Sequence, residues 1–192
     1  MLLKLSDPLL RLRSINNKDE AILCQIYAST RTEELLQVTG WTTSQKEAFL
    51  RAQFTAQHTY YQNNYKGADF WLINYGAQVI GRLYLHTNYE GASMRIIDIA
   101  ILPEWRNKGF GKKILAAVME LAGSINRSVT IHVERFNRAM KLYRKLGFEL
   151  VSQTNGIYHL LEWKTNPQNL MANLLTNQSS TNGSYTTIYN GL

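Results

Sequence analysis

Only one cysteine, Cys24, occurs among the 192 residues of this chain. A single cysteine excludes an internal disulfide and any metal site built from several cysteines, so we expect no metal and a reducing compartment. Long apolar runs are also missing, since none approaches the roughly 20 residues that cross a bilayer. Residues 1–8 are interrupted by Lys4 and Asp7, unlike a signal peptide. We therefore predict a cytoplasmic protein with no membrane partner.

Acidic residues are the other scarce class. The chain has 14 Asp and Glu against 21 Lys and Arg, a net charge of +7. Residues 95–145 hold eleven of the basic residues and four of the acidic ones, whereas the rest of the chain is neutral. Positive potential concentrated on one segment suits a ligand with several phosphate groups, and we expect no nucleic-acid partner. A basic face for RNA or DNA is the alternative that this charge leaves open.

The overall composition predicts one globular domain. Hydrophobic residues make up 45% of the chain and charged residues 18%, which are ordinary values for a folded protein. We assign residues 1–164 to this domain. Residues 165–192 are dominated by Asn, Ser, Thr and Gly and are predicted to form a polar C-terminal tail or extension.

The most informative segment joins a strand to a helix through a glycine-containing turn. Residues 96–102 form a nearly continuous apolar run, as in a strand buried on both faces, and Pro103 ends it because proline has no N–H for the sheet. Gly109 and Gly111 let a ligand approach the backbone, and apolar residues at helical spacing follow them. Because the first turn of a helix has free N–H groups, we predict a pyrophosphate site here.

This loop reads Arg106-x-x-Gly109-x-Gly111 after an apolar strand and a proline turn. It resembles the acyl-coenzyme A loop of the GNAT N-acetyltransferase superfamily. A second signature of that superfamily is matched downstream, at Ala139, Leu142, Tyr143, Gly147 and Phe148. Asn137 stands two residues before Ala139, where the superfamily pattern has three.

The resemblance implies that acetyl-CoA is the co-substrate and that it binds along the central strand, the loop and the second signature. The residues expected to bind it are Ile99, Ala100, Ile101, Arg106, Asn107, Lys108, Gly109, Phe110, Gly111, Lys112, Asn137 and Tyr143.

The remaining patterns predict the order of the elements. Strands are expected at 9–13, 69–74, 78–86, 96–102 and 129–134, with a closing pair at about 148–153 and 157–164. Helices are expected to begin near residues 18, 42 and 111, with a short one at 137–147. Strands adjacent in sequence, followed by strand-helix alternation, predict an α+β fold with a mixed, mostly antiparallel central sheet flanked by helices. The resemblance implies the same fold, split between two central parallel strands.

Acyl transfer to an amine needs a proton for the departing thiolate, and Tyr143 is the candidate general acid. A phenol with a pKa of about 10 keeps its proton at neutral pH, and the resemblance gives the tyrosine of the second signature this role. A core tyrosine is the alternative, since Leu142 and Leu146 share its helical face. The oxyanion is expected to be stabilised by a backbone N–H of residues 99–101.

The proton acceptor for the amine is predicted on the strand at 129–134. The ordinary pKa of a histidine side chain, about 6.5, suits proton abstraction at neutral pH, and by the resemblance His132 occupies a position where some relatives that acetylate protein N-termini carry glutamate. Glu134 lies on the same face and Asp98 on the neighbouring strand, so a carboxylate either orients His132 or receives the proton through water. The alternative for His132 is a packed, hydrogen-bonded residue without a catalytic role.

The acceptor pocket is expected between the helix at 42–64 and the strands at 69–86, a region rich in aromatic residues that could hold a cationic amine on ring faces. Glu33 and Glu34 are candidates for receiving its charge, against the alternative of a solvated helix face. His86 is a weaker candidate base, and Cys24 is expected to be a buried structural residue and not a nucleophile.

These observations predict an acetyl-CoA-dependent N-acetyltransferase that acts by direct transfer, with Tyr143 as general acid. Its acceptor is a primary amine of a small molecule, an amino acid or a protein. A non-catalytic acyl-CoA-binding module and a nucleic-acid-binding protein are the alternatives, and a homodimer stays open as the oligomeric state.

Overall fold

The computed structural model describes residues 3–165, which form seven strands and four α-helices. In chain order these are β1 (Leu10–Ser14), α1 (Glu20–Leu36), α2 (Thr43–Asn64), β2 (Asp69–Tyr75), β3 (Gln78–Tyr89), β4 (Ser93–Ile101), α3 (Phe110–Ser124), β5 (Ser128–Glu134), α4 (Met140–Lys145), β6 (Glu149–Thr154) and β7 (Tyr158–Trp163). Short 3-10 helices cover Asn17–Asp19 and Pro103–Trp105. The predicted tail falls, from residue 166 on, outside the described residues.

The strands form one sheet in the order β1-β2-β3-β4-β5-β7-β6. Every neighbouring pair is antiparallel except β4 and β5, which run parallel because α3 connects them. The predicted mixed, mostly antiparallel sheet flanked by helices is therefore confirmed. None of the helices within residues 3–165 has the length and apolar character needed to cross a membrane.

Helices cover both faces of the sheet. The apolar side of α3 packs on one face, where Ile114, Leu115 and Val118 are at most 2% exposed. α1 and α2 cover the other face, where Leu23, Ile26 and Phe54 are buried against Leu72 and Tyr84. Full burial of one such side chain stabilises the fold by about 1.5–3 kcal/mol, so both layers hold the sheet in place.

An irregularity between β3 and β4 decides which side chains face which layer. Tyr84 pairs with Asp98 but Leu85 pairs with Ile96, so Ile97 is an extra residue in β4. This bulge turns Asp98 towards the layer of α1 and α2, while Ile96 faces α3.

Two helix starts differ from the prediction. The cap of the first helical segment is Asn16, whose side chain accepts from Lys18 N at 2.9 Å while Asp19 accepts from Asn16 N at 2.8 Å, and α1 proper begins at Glu20. The helix predicted over 137–147 begins only at Met140, because the Asn137 side chain accepts from Ala139 N in a tight turn. Gly147, at φ +85°, ends this helix as predicted.

Candidate active site

The sheet opens between its two parallel strands. β4 and β5 pair only over four positions, from Ser93 with Ser128 to Ile96 with Ile131. Beyond them β4 stays paired with β3, and β5 stays paired with β7. Within the described chain the facing edges of residues 97–101 and 132–134 therefore have no strand partner. Ile99, Ala100 and Ile101 lie on this free edge, where backbone groups can bind a ligand.

The predicted anion site lies at the end of β4. After the turn at Pro103–Trp105, Asn107 and Gly109 take left-handed conformations, at φ +60° and +84°. α3 begins at Phe110, and its first internal hydrogen bond runs from Lys113 N to Gly109 O at 3.1 Å. The N–H groups of residues 110–112 precede that bond, and no side chain caps them. They are suited to bind phosphate oxygens, and the helix dipole adds to the attraction.

The basic side chains of the loop have different surroundings. Arg106 points inward, where Nε donates to Ile101 O at 2.8 Å and Nη2 donates to Ser29 O at 3.0 Å. This arginine therefore fastens the loop to β4 and α1. Lys108 lies over the Trp105 ring with Nζ 4.9 Å from its centroid, and Lys112 is exposed beside the first turn of α3. The two lysines are the ones placed to meet a negatively charged ligand.

Tyr143 lies on α4 and is only 3% exposed. Its ring packs edge to face against Phe148, with centroids 5.6 Å apart. Burial raises the pKa of Tyr143 above its ordinary value, and the charge of Asp98 acts in the same direction. The phenol therefore keeps its proton at neutral pH, as both a general acid and a core tyrosine would.

His132 and Glu134 lie on one face of β5, at and beyond the point where the sheet opens. Nδ1 of His132 is 2.7 Å from Nη1 of Arg95, and the imidazole is otherwise exposed. Burial, with a further contribution from the charge of Arg95, lowers the pKa of His132. Glu134 accepts from Arg31 of α1 at 3.0 Å, so α1 is tied to β5 across the open end of the sheet.

The candidates for binding a cationic acceptor have partners of their own. Glu34 accepts from Arg31, and Glu33 forms an ion pair with Arg138. The aromatic rings also carry arginines of the chain: Arg82 lies over Tyr84, and Arg95 lies over Tyr89 with 4.6 Å between Cζ and the ring centroid. The face of Tyr84 is therefore already occupied by Arg82, whereas Tyr89 lies outside the region predicted to hold a cationic amine.

Two lesser candidates lie outside the opening. Nε2 of His86 is 3.0 Å from the carbonyl oxygen of Lys66, a contact between β3 and the end of α2. Cys24 packs against the core under α1 but is only partly buried, so it is more exposed than predicted.

Two open grooves of about 450 Å³ each flank α1 and the turn after β4. One is lined by Gln25, Glu104, Trp105 and Lys108 among others. The other is lined by Ser29, Thr32, Leu36, Lys46 and Pro103 among others. They approach the loop from the side of α1, whereas the sequence predicts the acceptor pocket between the helix at 42–64 and the strands at 69–86, and neither groove is lined by both of these regions.

Sequence reasoning missed two arginines at the site. Arg95 contacts His132, and Arg82 is 2% exposed and forms an ion pair with Asp98 inside the layer of α1 and α2. Arg82 interrupts the apolar stretch of the strand predicted at 78–86, and Arg95 stands between Met94 and Ile96, just before the strand predicted at 96–102. These apolar neighbours were the only signal of an inward-facing charge.

Comparison with known proteins agrees with this geometry. Residues 35–148 match the family described as Acetyltransferase (GNAT) family. An uncharacterized N-acetyltransferase of Bacillus subtilis, YycN, is 33% identical over 75 residues, which are 37% of this chain and 48% of that protein. The chain thus matches about half the length of this relative.

Solved structures share the fold. The PaiA N-acetyltransferase of Thermoplasma acidophilum in complex with coenzyme A superimposes with a TM-score of 0.59 at 18% identity, over 81% of this chain and 98% of that one. RimL, a ribosomal L7/L12 alpha-N-protein acetyltransferase in complex with coenzyme A, gives a TM-score of 0.56 at 18% identity, over 83% and 96% of the two chains.

Proposed function

Since the chain belongs to the acetyltransferase (GNAT) family, we propose that it transfers the acetyl group of acetyl-CoA to a primary amine by direct attack. The observation that carries this proposal is the sheet opening beside the uncapped first turn of α3. Acetyl-CoA bound along the free edge of β4 would have its pyrophosphate at the start of α3 and its acetyl group beside β5.

The positions of the residues around the opening assign each of them a role in binding the coenzyme. The N–H groups of Phe110, Gly111 and Lys112 bind the pyrophosphate, with the charges of Lys108 and Lys112 beside them. Asn107 and Arg106 hold the loop in shape, and Asn137 shapes the turn before α4. The free edge of β4 at residues 99–101 supplies a backbone N–H to the carbonyl oxygen as negative charge develops on it.

Proton transfer completes the reaction. The amine attacks the thioester carbon, and the carbon–sulfur bond breaks. Tyr143 gives its proton to the departing sulfur, and the proton lost by the amine passes to Glu134, directly or through water. The Arg31 guanidinium donates to Glu134 at 3.0 Å and so holds this carboxylate in place at the opening of the sheet.

The acceptor is a primary amine of a small molecule, an amino acid or a protein. One structural neighbour, RimL, is an alpha-N-protein acetyltransferase, which supports testing peptides with a free N-terminus among the acceptors. An acceptor that gains the mass of one acetyl group, with release of free thiol, is the expected result. Binding of acetyl-CoA without transfer to any amine would favour the non-catalytic module.

Placing an aspartate at Gly111 is expected to weaken acetyl-CoA binding by at least about tenfold. A Cβ atom at Gly111 would come no closer than 3.8 Å to its nearest neighbour, Leu142, so the fold can accept a side chain. A carboxylate in the first turn of α3 is favourable for the helix but repels a pyrophosphate. Calorimetric titration with acetyl-CoA measures the effect.

Ser44→Asp is the matched control. Ser44 is exposed and lies in the first turn of α2, so this variant has the same added charge at an equivalent helix position. We expect its acetyl-CoA affinity and the thermal stability of both variants to stay near those of the wild type. Equal affinities for the two variants would disprove a phosphate site at α3.

A further inference from the structure

Arg95 and His132 form a contact across the last paired positions of β4 and β5. Nη1 of Arg95 lies 2.7 Å from Nδ1 of His132. The arginine is 7% exposed, and its guanidinium lies over the ring of Tyr89, 4.6 Å from the centroid. Its position is thus fixed by packing before any ligand binds.

The chemistry of the two side chains decides where the histidine proton is. A guanidinium has only N–H donors and stays protonated in proteins. Nδ1 of His132 must therefore accept this hydrogen bond and can carry no hydrogen. A neutral imidazole has one N–H group, which must then be on Nε2. Nε2 is on the opposite side of the ring from Arg95, and His132 as a whole is an exposed residue.

This arrangement conflicts with the predicted role of His132 as the base. A base needs a free lone pair, but the lone pair of Nδ1 is engaged by Arg95 and Nε2 already carries a hydrogen. A second proton on the ring would have to displace Arg95 and would place two positive charges together. The lowered pKa of His132 has burial as its main cause and the charge of Arg95 as the second.

We propose that Arg95 is a positioning residue that holds His132 as its neutral Nε2–H tautomer, so that His132 acts as a hydrogen-bond donor at the opening of the sheet. The donor role rests on the proposed function, because the oxygen atom that receives this hydrogen bond belongs to the reacting acyl group or the amine acceptor. Removal of the amine proton then falls to Glu134.

Nitrogen NMR of the wild-type chain tests the tautomer without any substrate. With ¹⁵N-labelled histidine, we expect Nε2 of His132 to have the shift of a protonated nitrogen and Nδ1 that of an unprotonated one. In Arg95→Met both shifts should move towards the average of a free imidazole. Arg127→Met is the control, since Arg127 donates to Thr87 O at 2.7 Å, away from His132. A proton on Nδ1 in the wild type would overturn the proposal whether or not the variants fold.

Two substitutions of His132 test the donor role. His132→Gln keeps an N–H group near the place of Nε2 and cannot act as a base, whereas His132→Ala keeps neither group. Loss of one such donor reduces kcat by about 100-fold. We therefore expect a loss of about 100-fold in His132→Ala and of at most about 10-fold in His132→Gln. Equal losses in both variants would overturn the donor role.

The two tests separate this inference from the function on which it rests. A wild-type chain with the Nε2–H tautomer but no transfer to any amine would overturn the proposed function and the donor role, while the coupling of Arg95 to His132 would stand. A mixed tautomer in an active enzyme would overturn the coupling and leave the proposed function standing.

Discussion

Replacement of Tyr143 by phenylalanine is expected to lower kcat by about 100-fold or more, because general acid catalysis contributes at least that much. Phenylalanine keeps the ring that packs on Phe148, so the core is unchanged. The melting temperature should therefore stay close to that of the wild type. Steady-state kinetics with acetyl-CoA and an acceptor, together with thermal melts, measure both quantities.

Tyr27→Phe is the matched control for this variant. Tyr27 is 4% exposed, against 3% for Tyr143, and lies on the other face of the sheet. The same loss of a hydroxyl group there is expected to leave kcat nearly unchanged. A core role for Tyr143 predicts equal kcat values for the two variants, and that result would disprove the general acid.

The pH dependence of kcat gives a second measure of Tyr143. Burial raises the pKa of this phenol, so it stays protonated beyond its ordinary pKa of about 10. Ionisation of Tyr143 should then cause no loss of kcat between about pH 7 and pH 10. A fall of kcat within this range that disappears in Tyr143→Phe would contradict the raised pKa.

The elements that sequence predicted best are those with strong local signals. The strand at 96–102, the turn at Pro103 and the helix at Gly111 correspond to β4, the 3-10 turn and α3 within a few residues. Apolar periodicity, a proline and two glycines lie within one short stretch there, so no distant contact is needed to place them. The family that this stretch resembles, the GNAT acetyltransferases, is the family that residues 35–148 match.

The charged contacts at the site could not be predicted in the same way. Arg31 and Glu134 are 103 residues apart in sequence, and Arg95 and His132 are 37 apart. Their meeting depends on the register of β4 against β5 and on the path of α1 over the sheet. Sequence patterns predict which face a residue occupies, but the partner across a sheet is set by the tertiary fold.

Breaking the ion pair between Arg82 and Asp98 is expected to have the largest effect on stability. Nε and Nη2 of Arg82 donate to the two oxygens of Asp98 at 3.0 and 2.9 Å, and Nη2 also donates to Gln57 at 3.0 Å. The side chains of Arg82 and Asp98 are 2% and 15% exposed. Asp98→Asn leaves the guanidinium buried without a counter-charge, which costs about 3–5 kcal/mol.

The surface pair of Glu33 and Arg138 provides the control. Its side chains are 77% and 58% exposed, so Glu33→Gln should change the free energy of unfolding by less than about 1 kcal/mol. Urea denaturation of the wild type and the two variants at neutral pH measures the difference. Similar small losses in both variants would show that the buried pair is not the source of stability.

A double substitution distinguishes a missing counter-charge from a general need for this pair. Arg82→Met combined with Asp98→Leu removes both charges and fills the space with apolar atoms, so it should recover most of the stability lost in Asp98→Asn. Gln57 limits the recovery, because its side-chain oxygen loses the hydrogen bond that Nη2 of Arg82 donates. A double variant less stable than Asp98→Asn would mean that the two side chains hold the bulge of β4 in shape. The free edge at residues 99–101 follows that bulge directly, so acetyl transfer should then be lost together with stability.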